Sequence, residues 1–240
     1  MDLIRRLKRQ ARIPQKHRTI NCRADGVSVG MRVTHIEGLS KSRSRIFIDD
    51  EFAFVLYKGE LRLYHVAVGE ELSQEDYQTI MEQVLPKRAK LRAMNLLKGR
   101  EYTTKQLYDK LKRGDYPEVV IKEALDYVES FHYTDDLRYA VSYISGHETT
   151  RSRIRIEQDL LNKGIDRAIL ERAWYEWESQ GGIQDEQSMI KELFRKRGYD
   201  PESADRKEVQ RMGAFLMRRG FSGESVRKAL FAGVNDGIDF

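Results

Sequence analysis

The sequence predicts a mostly α-helical protein: three tandem three-helix repeats in an elongated curved array, preceded by a small antiparallel β-meander with a helix. Three observations lead to this prediction. Short segments rich in Ile, Val, Phe and Tyr alternate with polar residues between residues 31 and 68. From Pro86 onward the chain shows helical periodicity with start and stop signals. A helix–glycine–helix pattern recurs within this helical part.

The recurring pattern is KLKRGDYPEVVIKEAL (110–125), LLNKGIDRAILERAW (160–174) and LMRRGFSGESVRKAL (216–230). Its glycines are Gly114, Gly164 and Gly220, and the first copy has one extra residue after its glycine. A cation precedes each glycine, a large apolar residue follows it, and an alanine comes later. We expect each glycine to supply a left-handed turn between the second and third helices of a three-helix unit.

The first 30 residues differ in charge from the rest of the chain. They carry eight Lys or Arg against two Asp, whereas the other 210 residues carry 35 basic and 36 acidic side chains. We interpret residues 1–30 as a basic, mobile N-terminal arm that could touch nucleic acid, or as an extension ahead of a start at Met31. Any attraction for anions in the folded body must then come from the arrangement of its cations.

The β-meander and its helix are expected over residues 31–85. RVTHIEGL, RSRIFI, EFAFVLY and LRLYHV are typical of short strands, with turns at DDE and YKGE. Ser73, with Asp76 three residues later, indicates a helix start. Because so small a sheet is marginal alone, it should pack on the helices after it.

The helical part divides into predicted repeats at 86–145, 146–198 and 199–240, the last including a C-terminal tail. Pro86 suits the first turn of a helix, and Thr103 with Gln106 forms a predicted capping box. Further helix starts are expected at Pro117, at Thr134 or Asp135, near Thr150, at Asp166, Asp185, near Ala204 and at Ser222. Trp174 and Trp177 share a helical face and are predicted to be core residues.

Several classes of function lack their signatures in this sequence. The lone Cys22 favours a reducing cytoplasm, and no apolar run approaches the ~20 residues of a membrane span. The sequence contains no HExxH, CxxC, GxxxxGK[ST] or GxGxxG, so we expect no metal, no cofactor and no enzymatic activity. His132, Asp135 and Asp136 lie close together, but the two aspartates are better explained as a helix start.

Basic clusters on the predicted helices are the candidate binding residues. Equivalent positions in stacked repeats would form a stripe suited to an extended anionic partner, although these cations could equally be solvated faces balanced by acids. Because aromatic residues are not interleaved with them, a protein or composite partner is favoured over bare nucleic acid. The candidates are Arg138, Arg151, Arg153, Arg155, Lys163, Arg195, Lys196, Arg197, Arg218 and Arg219.

Three segments resemble the RecX family, the regulators of the RecA recombinase. YTDDLRYAVSYIS resembles that family's Y-x-D-D-x-x-[FY]-A motif. RIEQDLLNKGI is similar to its R-I-x-x-[ED]-L-x-x-K-G-I signature, and FLMRRGFSGESVRKAL is similar to its C-terminal R-G-F-[SD] segment. The resemblance covers residues 31 to about 231. The predicted β-meander of this chain, from Met31, is similar to an N-terminal extension found in one branch of the family.

The resemblance implies a non-enzymatic protein that binds along the groove of the RecA–single-stranded-DNA filament. There it would alter filament growth, ATP hydrolysis and strand exchange, usually by inhibition, with possible weak direct DNA binding and no membrane contact. The cytoplasm is expected from the lone Cys22, and a monomer is the default expectation. Two alternatives stay open. Three-helix units also suit a helix-turn-helix-like DNA-binding protein, and tandem repeats suit an α-solenoid scaffold for protein partners.

Overall fold

Residues 31–231 are described by the computed structural model. The predicted basic arm 1–30, including Cys22, lies outside the described residues, as do residues 232–240 of the predicted tail. The described chain forms two compact units that divide between Thr134 and Asp135. None of the described helices has both the length and the apolar character that a membrane span requires.

The first unit begins with an antiparallel sheet in the order β3-β2-β1-β4. Its strands are β1 (Met31–Gly38), β2 (Arg43–Ile48), β3 (Glu51–Tyr57) and β4 (Glu71–Leu72). Asp49 and Asp50 connect β2 to β3 with positive φ values of 49° and 68°, a two-residue turn that matches the right-handed twist of a hairpin. The turn predicted at DDE is therefore confirmed.

The strand predicted at LRLYHV is wrong, because residues Lys58–Leu63 form a helix, α1. The backbone N–H of Tyr57 donates to Glu60 Oε2 at 2.7 Å, which ends β3 and starts the helix. Arg88, distant in sequence, holds the Glu60 carboxylate and the Val55 carbonyl. The Glu60 side chain that caps this helix is thus held in place by Arg88, a tertiary contact that the alternation of apolar residues does not reveal.

Ser73 caps α2 (Gln74–Thr79) by accepting a hydrogen bond from the Asp76 N–H at 3.1 Å, as predicted. A π-helical segment, Ile80–Val84, joins α2 directly to α3 (Leu85–Leu97), which has Pro86 in its first turn. Proline lacks an N–H and crowds the preceding turn, and a wider π turn is one of the few ways a helix can accommodate it.

The remaining helices follow the predicted caps closely. They are α4 (Thr104–Lys112), α5 (Glu118–Ser130), α6 (Asp136–His147), α7 (Arg153–Asn162), α8 (Arg167–Ser179), α9 (Glu186–Arg197), α10 (Arg206–Arg218) and α11 (Gly223–Leu230). The side chains of Thr103, Asp135, Asp166, Asp185 and Ser222 each accept a backbone hydrogen bond at a helix start. The mostly α fold with three-helix repeats behind a small sheet is therefore confirmed.

Each three-helix repeat has its own apolar cluster. In the first unit, α3, α4 and α5 share one core with the sheet. In the second unit, α6, α7 and α8 surround a cluster that includes Trp174 and Trp177, which are only 2% and 4% exposed and thus core residues as predicted. Helices α9, α10 and α11 surround a separate apolar cluster in the same unit.

The observed clusters suggest different repeat boundaries from those expected. Boundaries at 145/146 and 198/199 would separate α6 and α9 from the helices with which they share a core. We therefore propose to place the first boundary after Thr134 and the second ahead of α9. The offset arises because each recurring glycine marks the junction of the second and third helices and leaves the first helix unassigned.

The left-handed turn is found in two of the recurring motifs. Gly164 and Gly220 have φ values of +89° and +81°. The prediction for Gly114 is wrong, because the left-handed residue there is Asp115, with a φ of +59°. The extra residue of this copy moves the turn by one position, and aspartate tolerates the left-handed region better than most residues.

Candidate functional site

A group of cations gathers around Tyr143 and Asp159 in the second unit. Arg151 donates to Tyr143 Oη at 2.7 Å and also pairs with the Asp159 carboxylate. Arg155 Nη2 lies 3.3 Å from the other oxygen of Asp159. Lys163 Nζ lies 5.2 Å from the centre of the Tyr143 ring. We call Tyr143, Arg151, Arg155, Asp159 and Lys163 the Tyr143 cluster; its three cations and one carboxylate leave an excess of positive charge.

The helices explain why these side chains meet. Arg151 precedes α7, and Arg155 and Asp159 follow at intervals of four residues, so that all three face the same side. Tyr143 comes from α6, where its ring stacks on His147 with centroids 4.1 Å apart. Burial raises the pKa of the Tyr143 hydroxyl and the Asp159 charge raises it further, while Arg151 lowers it. The hydroxyl is therefore a neutral hydrogen-bonding group at ordinary pH.

Arg153 lies on a different side of α7 from Arg151 and Arg155. Its guanidinium pairs with Glu157 at 3.2 Å and with Glu178 at 3.0 Å, and it lies 4.3 Å from the centre of the Trp174 ring. It lines a cleft of about 540 Å³ between the second and third repeats. The carboxylates of Glu178, Asp185, Glu186 and Glu224 outnumber Arg153 and Lys228 there, so this cleft does not favour an anion.

A second group of cations forms around Phe215 in the third repeat. The guanidiniums of Arg197 and Arg219 lie 3.8 Å and 4.8 Å from the centre of the Phe215 ring. Such stacking holds an arginine in place while leaving its hydrogen-bond donors free for a partner. Arg218 is exposed beside Arg219, and its side chain has no ion pair within residues 31–231. We call Arg197, Phe215, Arg218 and Arg219 the Phe215 cluster.

Ser152 connects the two clusters. Its hydroxyl donates to the Arg219 carbonyl oxygen at 2.8 Å and accepts from the Arg155 N–H at 3.3 Å. Ser152 is 1% exposed, so this contact between the start of α7 and the end of α10 is shielded from water. Although Ser152 and Arg219 are 67 residues apart in sequence, their contact brings candidates from the second and third repeats to one junction.

The other candidates are placed less favourably for this junction. Arg195 and Lys196 pair with Glu192 in the last turn of α9, and hydrogen bonding by Arg195 lowers the pKa of that carboxyl to about 2. Arg138 lies in the first turn of α6, where it is exposed and its backbone N–H donates to Asp135 at 2.9 Å.

Sequence reasoning missed the residues that organise both clusters. The spacing of Arg151, Arg155 and Asp159 would have indicated a shared carboxylate. In contrast, Tyr143 reaches its cations, and Phe215 reaches Arg197, through the packing of different helices, which the sequence does not show. Only Arg219, four residues after Phe215 at the end of the same helix, has a spacing that indicates the contact.

The chain matches three family models, described as the first, second and third three-helix domains of RecX, at residues 89–127, 135–173 and 184–230. A curated relative from Caldanaerobacter subterraneus subsp. tengcongensis, named Regulatory protein RecX, is 30% identical, covering 83% of this chain and 98% of the relative. A relative of the same name from Clostridioides difficile is 23% identical, covering 82% of this chain and 93% of its own.

Solved structures agree with the fold. A crystal structure titled as regulatory protein RecX superposes with a TM-score of 0.54 at 24% identity, covering 83% of this chain and 98% of that one. A crystal structure of RecX from Lactobacillus salivarius gives a TM-score of 0.52 at 22% identity, and the match covers 62% of this chain and 96% of that one.

Proposed function

Because this chain belongs to the RecX family of regulatory proteins, we propose that it is a non-enzymatic modulator, usually an inhibitor, of the RecA recombinase. It binds along the groove of the RecA–single-stranded-DNA filament and alters filament growth, ATP hydrolysis and strand exchange. A monomer in the cytoplasm is part of this proposal. The observation that carries it is the junction at Ser152, which joins the Tyr143 and Phe215 clusters.

The two clusters suit a filament that presents acidic side chains and phosphates together. Arg155 and Arg218 keep exposed guanidiniums, and the side chains of Arg197 and Arg219 are preorganised on Phe215. Single exposed ion pairs contribute only ~0.2–1 kcal/mol, so affinity would come from several weak contacts made at once across neighbouring protomers. Such binding would depend on salt.

The proposal is tested by the single-stranded-DNA-dependent ATPase of the cognate RecA, with the protein added well below one molecule per protomer. Progressive loss or alteration of turnover is the expected result. Charge reversal of Arg155 and Arg218 (R155E/R218E) should weaken filament binding by roughly 5- to 30-fold, because two exposed contacts are lost and two repulsions are added.

The matched control is R167E/R172E, which makes the same charge change at two exposed arginines of α8 outside both clusters. This control should bind the filament like the unsubstituted protein at low and moderate salt. Equal binding by the two double variants would remove the clusters from the proposed contact. No effect of the protein on the ATPase, with binding to naked duplex DNA intact, would favour the helix-turn-helix-like alternative.

A further inference from the structure

A cavity of about 510 Å³ opens in the first unit, between the sheet and the first three-helix repeat. Its wall is rich in cations that come from four separate elements: β2, α3, α4 and the α4–α5 connection. The lining cations are Arg43, Arg88, Arg92, Lys110 and Arg113. The first recurring motif contains Lys110 and Arg113, but no sequence pattern joins them to Arg43, Arg88 and Arg92, which are distant along the chain.

Most of this positive charge is uncompensated. Arg88 is used by the fold, since it pairs with Glu60 at 2.5 Å and donates to the Val55 carbonyl at 3.0 Å. The one carboxylate in the lining is Asp115, and Arg45 binds it at 3.0 Å from outside the lining set.

Among the described residues, four lining cations are therefore left without a carboxylate partner: Arg43, Arg92, Lys110 and Arg113. Within residues 31–231, the side chains of these four residues form no ion pair with a carboxylate. Like charges around one cavity repel one another, and a bound anion would relieve that repulsion.

Tyr116 gives the cavity a fixed polar group beside the cations. Its ring lies directly over Gly114, where an added Cβ would come within 3.1 Å of the ring and 3.0 Å of the Leu111 carbonyl oxygen. Burial raises the pKa of the Tyr116 hydroxyl, whereas the charges of Arg88, Arg92 and Arg43 lower it. The hydroxyl thus lies within the field of three guanidiniums and can donate a hydrogen bond to an anion held there.

We propose that this cavity is a binding site for phosphate groups, held by Arg43, Arg92, Lys110 and Arg113 with the Tyr116 hydroxyl as an added donor. Planar guanidiniums match phosphate oxygens in pairs, and the volume suits a ligand larger than one phosphate. The ligand carries two or more phosphates, as a stretch of nucleic-acid backbone or a nucleoside polyphosphate does. This cavity lies in the first unit, whereas the junction at Ser152 lies in the second, so the two proposals can fail independently.

The test is calorimetric titration of the full chain with inorganic tripolyphosphate, ATP and an oligothymidylate of about 12 nucleotides. The variant is R92A/R113A, which removes two exposed cations from the cavity. The matched control is K98A/K122A, which removes two exposed lysines of the same unit outside the cavity. Thermal unfolding and circular dichroism show whether each variant is folded, and the single variant R113A replaces the double variant if the latter is not.

We expect R92A/R113A to bind at least one class of probe tenfold or more weakly than the control does. For the oligonucleotide, the slope of log affinity against log salt should also fall by roughly 1.4, because two phosphates lose their cations. A loss confined to tripolyphosphate and ATP identifies a small phosphorylated ligand, and a loss confined to the oligonucleotide identifies a nucleic-acid backbone. Equal affinities of the variant and the control for all three probes overturn the proposal. Polyglutamate, titrated in the same way as an anion without phosphate, should bind more weakly than the phosphate probes, and tighter binding of polyglutamate than of every phosphate probe also overturns the proposal.

Discussion

Gly220 lies where the end of α10 meets the start of α7. Its φ of +81° is left-handed, and a Cβ added there would come within 2.8 Å of the Ser152 hydroxyl oxygen and 3.3 Å of the Arg155 nitrogen. Two separate requirements therefore select glycine: the backbone conformation and the close approach of a neighbouring helix. Gly223, three residues later, meets nothing within 4 Å and has neither requirement.

The substitution Gly220→Ala should lower the free energy of unfolding by about 2–4 kcal/mol. Left-handed backbone costs an alanine ~1–2 kcal/mol, and the shielded contact with Ser152 must also open. Chemical denaturation measures the loss, with Gly223→Ala as the control, for which a change within about 1 kcal/mol in either direction is expected. If both variants lost the same stability, neither the left-handed backbone of Gly220 nor its contact with α7 would contribute.

The glycines also show how far a residue pattern predicts conformation. Gly164 and Gly220 are left-handed as the recurring motif predicts, but Asp115 takes that conformation in the first copy. The motif predicts that the chain must turn after the helix. In the first copy the extra residue after Gly114 moves the turn to Asp115, so the motif predicts the turn but not the residue that makes it.

At the scale of elements, side-chain caps start most of the helices, and one cap also joins two repeats. Ser152 accepts the Arg155 N–H like an ordinary N-cap, but it donates to the Arg219 carbonyl as well. Ser73 caps α2 from an exposed position and makes no such contact with a distant backbone group among the described residues. Comparing Ser152 with Ser73 therefore separates the energetic effect of capping a helix from that of joining two repeats.

We expect Ser152→Ala to destabilise the second unit by about 2–4 kcal/mol. The cap contributes ~0.5–2 kcal/mol, and a shielded carbonyl left without its donor adds ~1–3 kcal/mol. Ser73→Ala should cost only the capping share. Hydrogen exchange at the amides of α7 and α10 gives an independent measurement, because loss of the junction should speed exchange in both helices. Faster exchange confined to α7 would show that only the cap was lost.

Local signals predicted the helices well and the fourth strand badly. Thr103, Asp166 and Ser222 begin helices because their side chains satisfy nearby N–H groups, a short-range effect that is readable in sequence. LRLYHV alternates like a strand, yet Arg88 and Glu60 direct its start into α1. The strand that closes the sheet is only Glu71–Leu72, too short to show a periodicity.

At the scale of the whole molecule, cations occur in both units, but their surroundings differ. In the second unit the Tyr143 and Phe215 clusters meet at Ser152, and a neighbouring cleft between repeats is rich in carboxylates. In the first unit a cavity gathers four cations that form no ion pair with any described carboxylate. A net charge of +5 for the chain conveys none of this, because recognition depends on local charge and not on the total.

Single charge reversals at Arg153 and Arg155 should therefore have different effects. Arg153→Glu places a carboxylate beside Glu157, Glu178 and the Trp174 face, so it should lower stability by roughly 1–2 kcal/mol and change filament binding by less than about twofold. Arg155→Glu should weaken filament binding by roughly three- to tenfold, with a smaller loss of stability.

Filament binding at two salt concentrations, together with thermal unfolding of both variants, checks this expectation. Because the two arginines are two residues apart on one helix and undergo the same substitution, each serves as the control for the other. A greater loss of binding in the Arg153 variant would place the partner in the carboxylate-rich cleft instead. If neither variant weakened binding, neither arginine would be a contact.

The sequence alone determined the helical class, most of the helix starts, the left-handed turn in two of the three recurring motifs and the family resemblance, because these depend on interactions within a few residues or on short motifs. It also named the cations of the second unit. Only the tertiary structure decided that Arg153 pairs with Glu178 beside Trp174, that Ser152 joins two repeats, and that Arg43, Arg92 and Arg113 line one cavity. The physical reason is the same in each case: side chains distant in sequence become neighbours only when helices and strands pack.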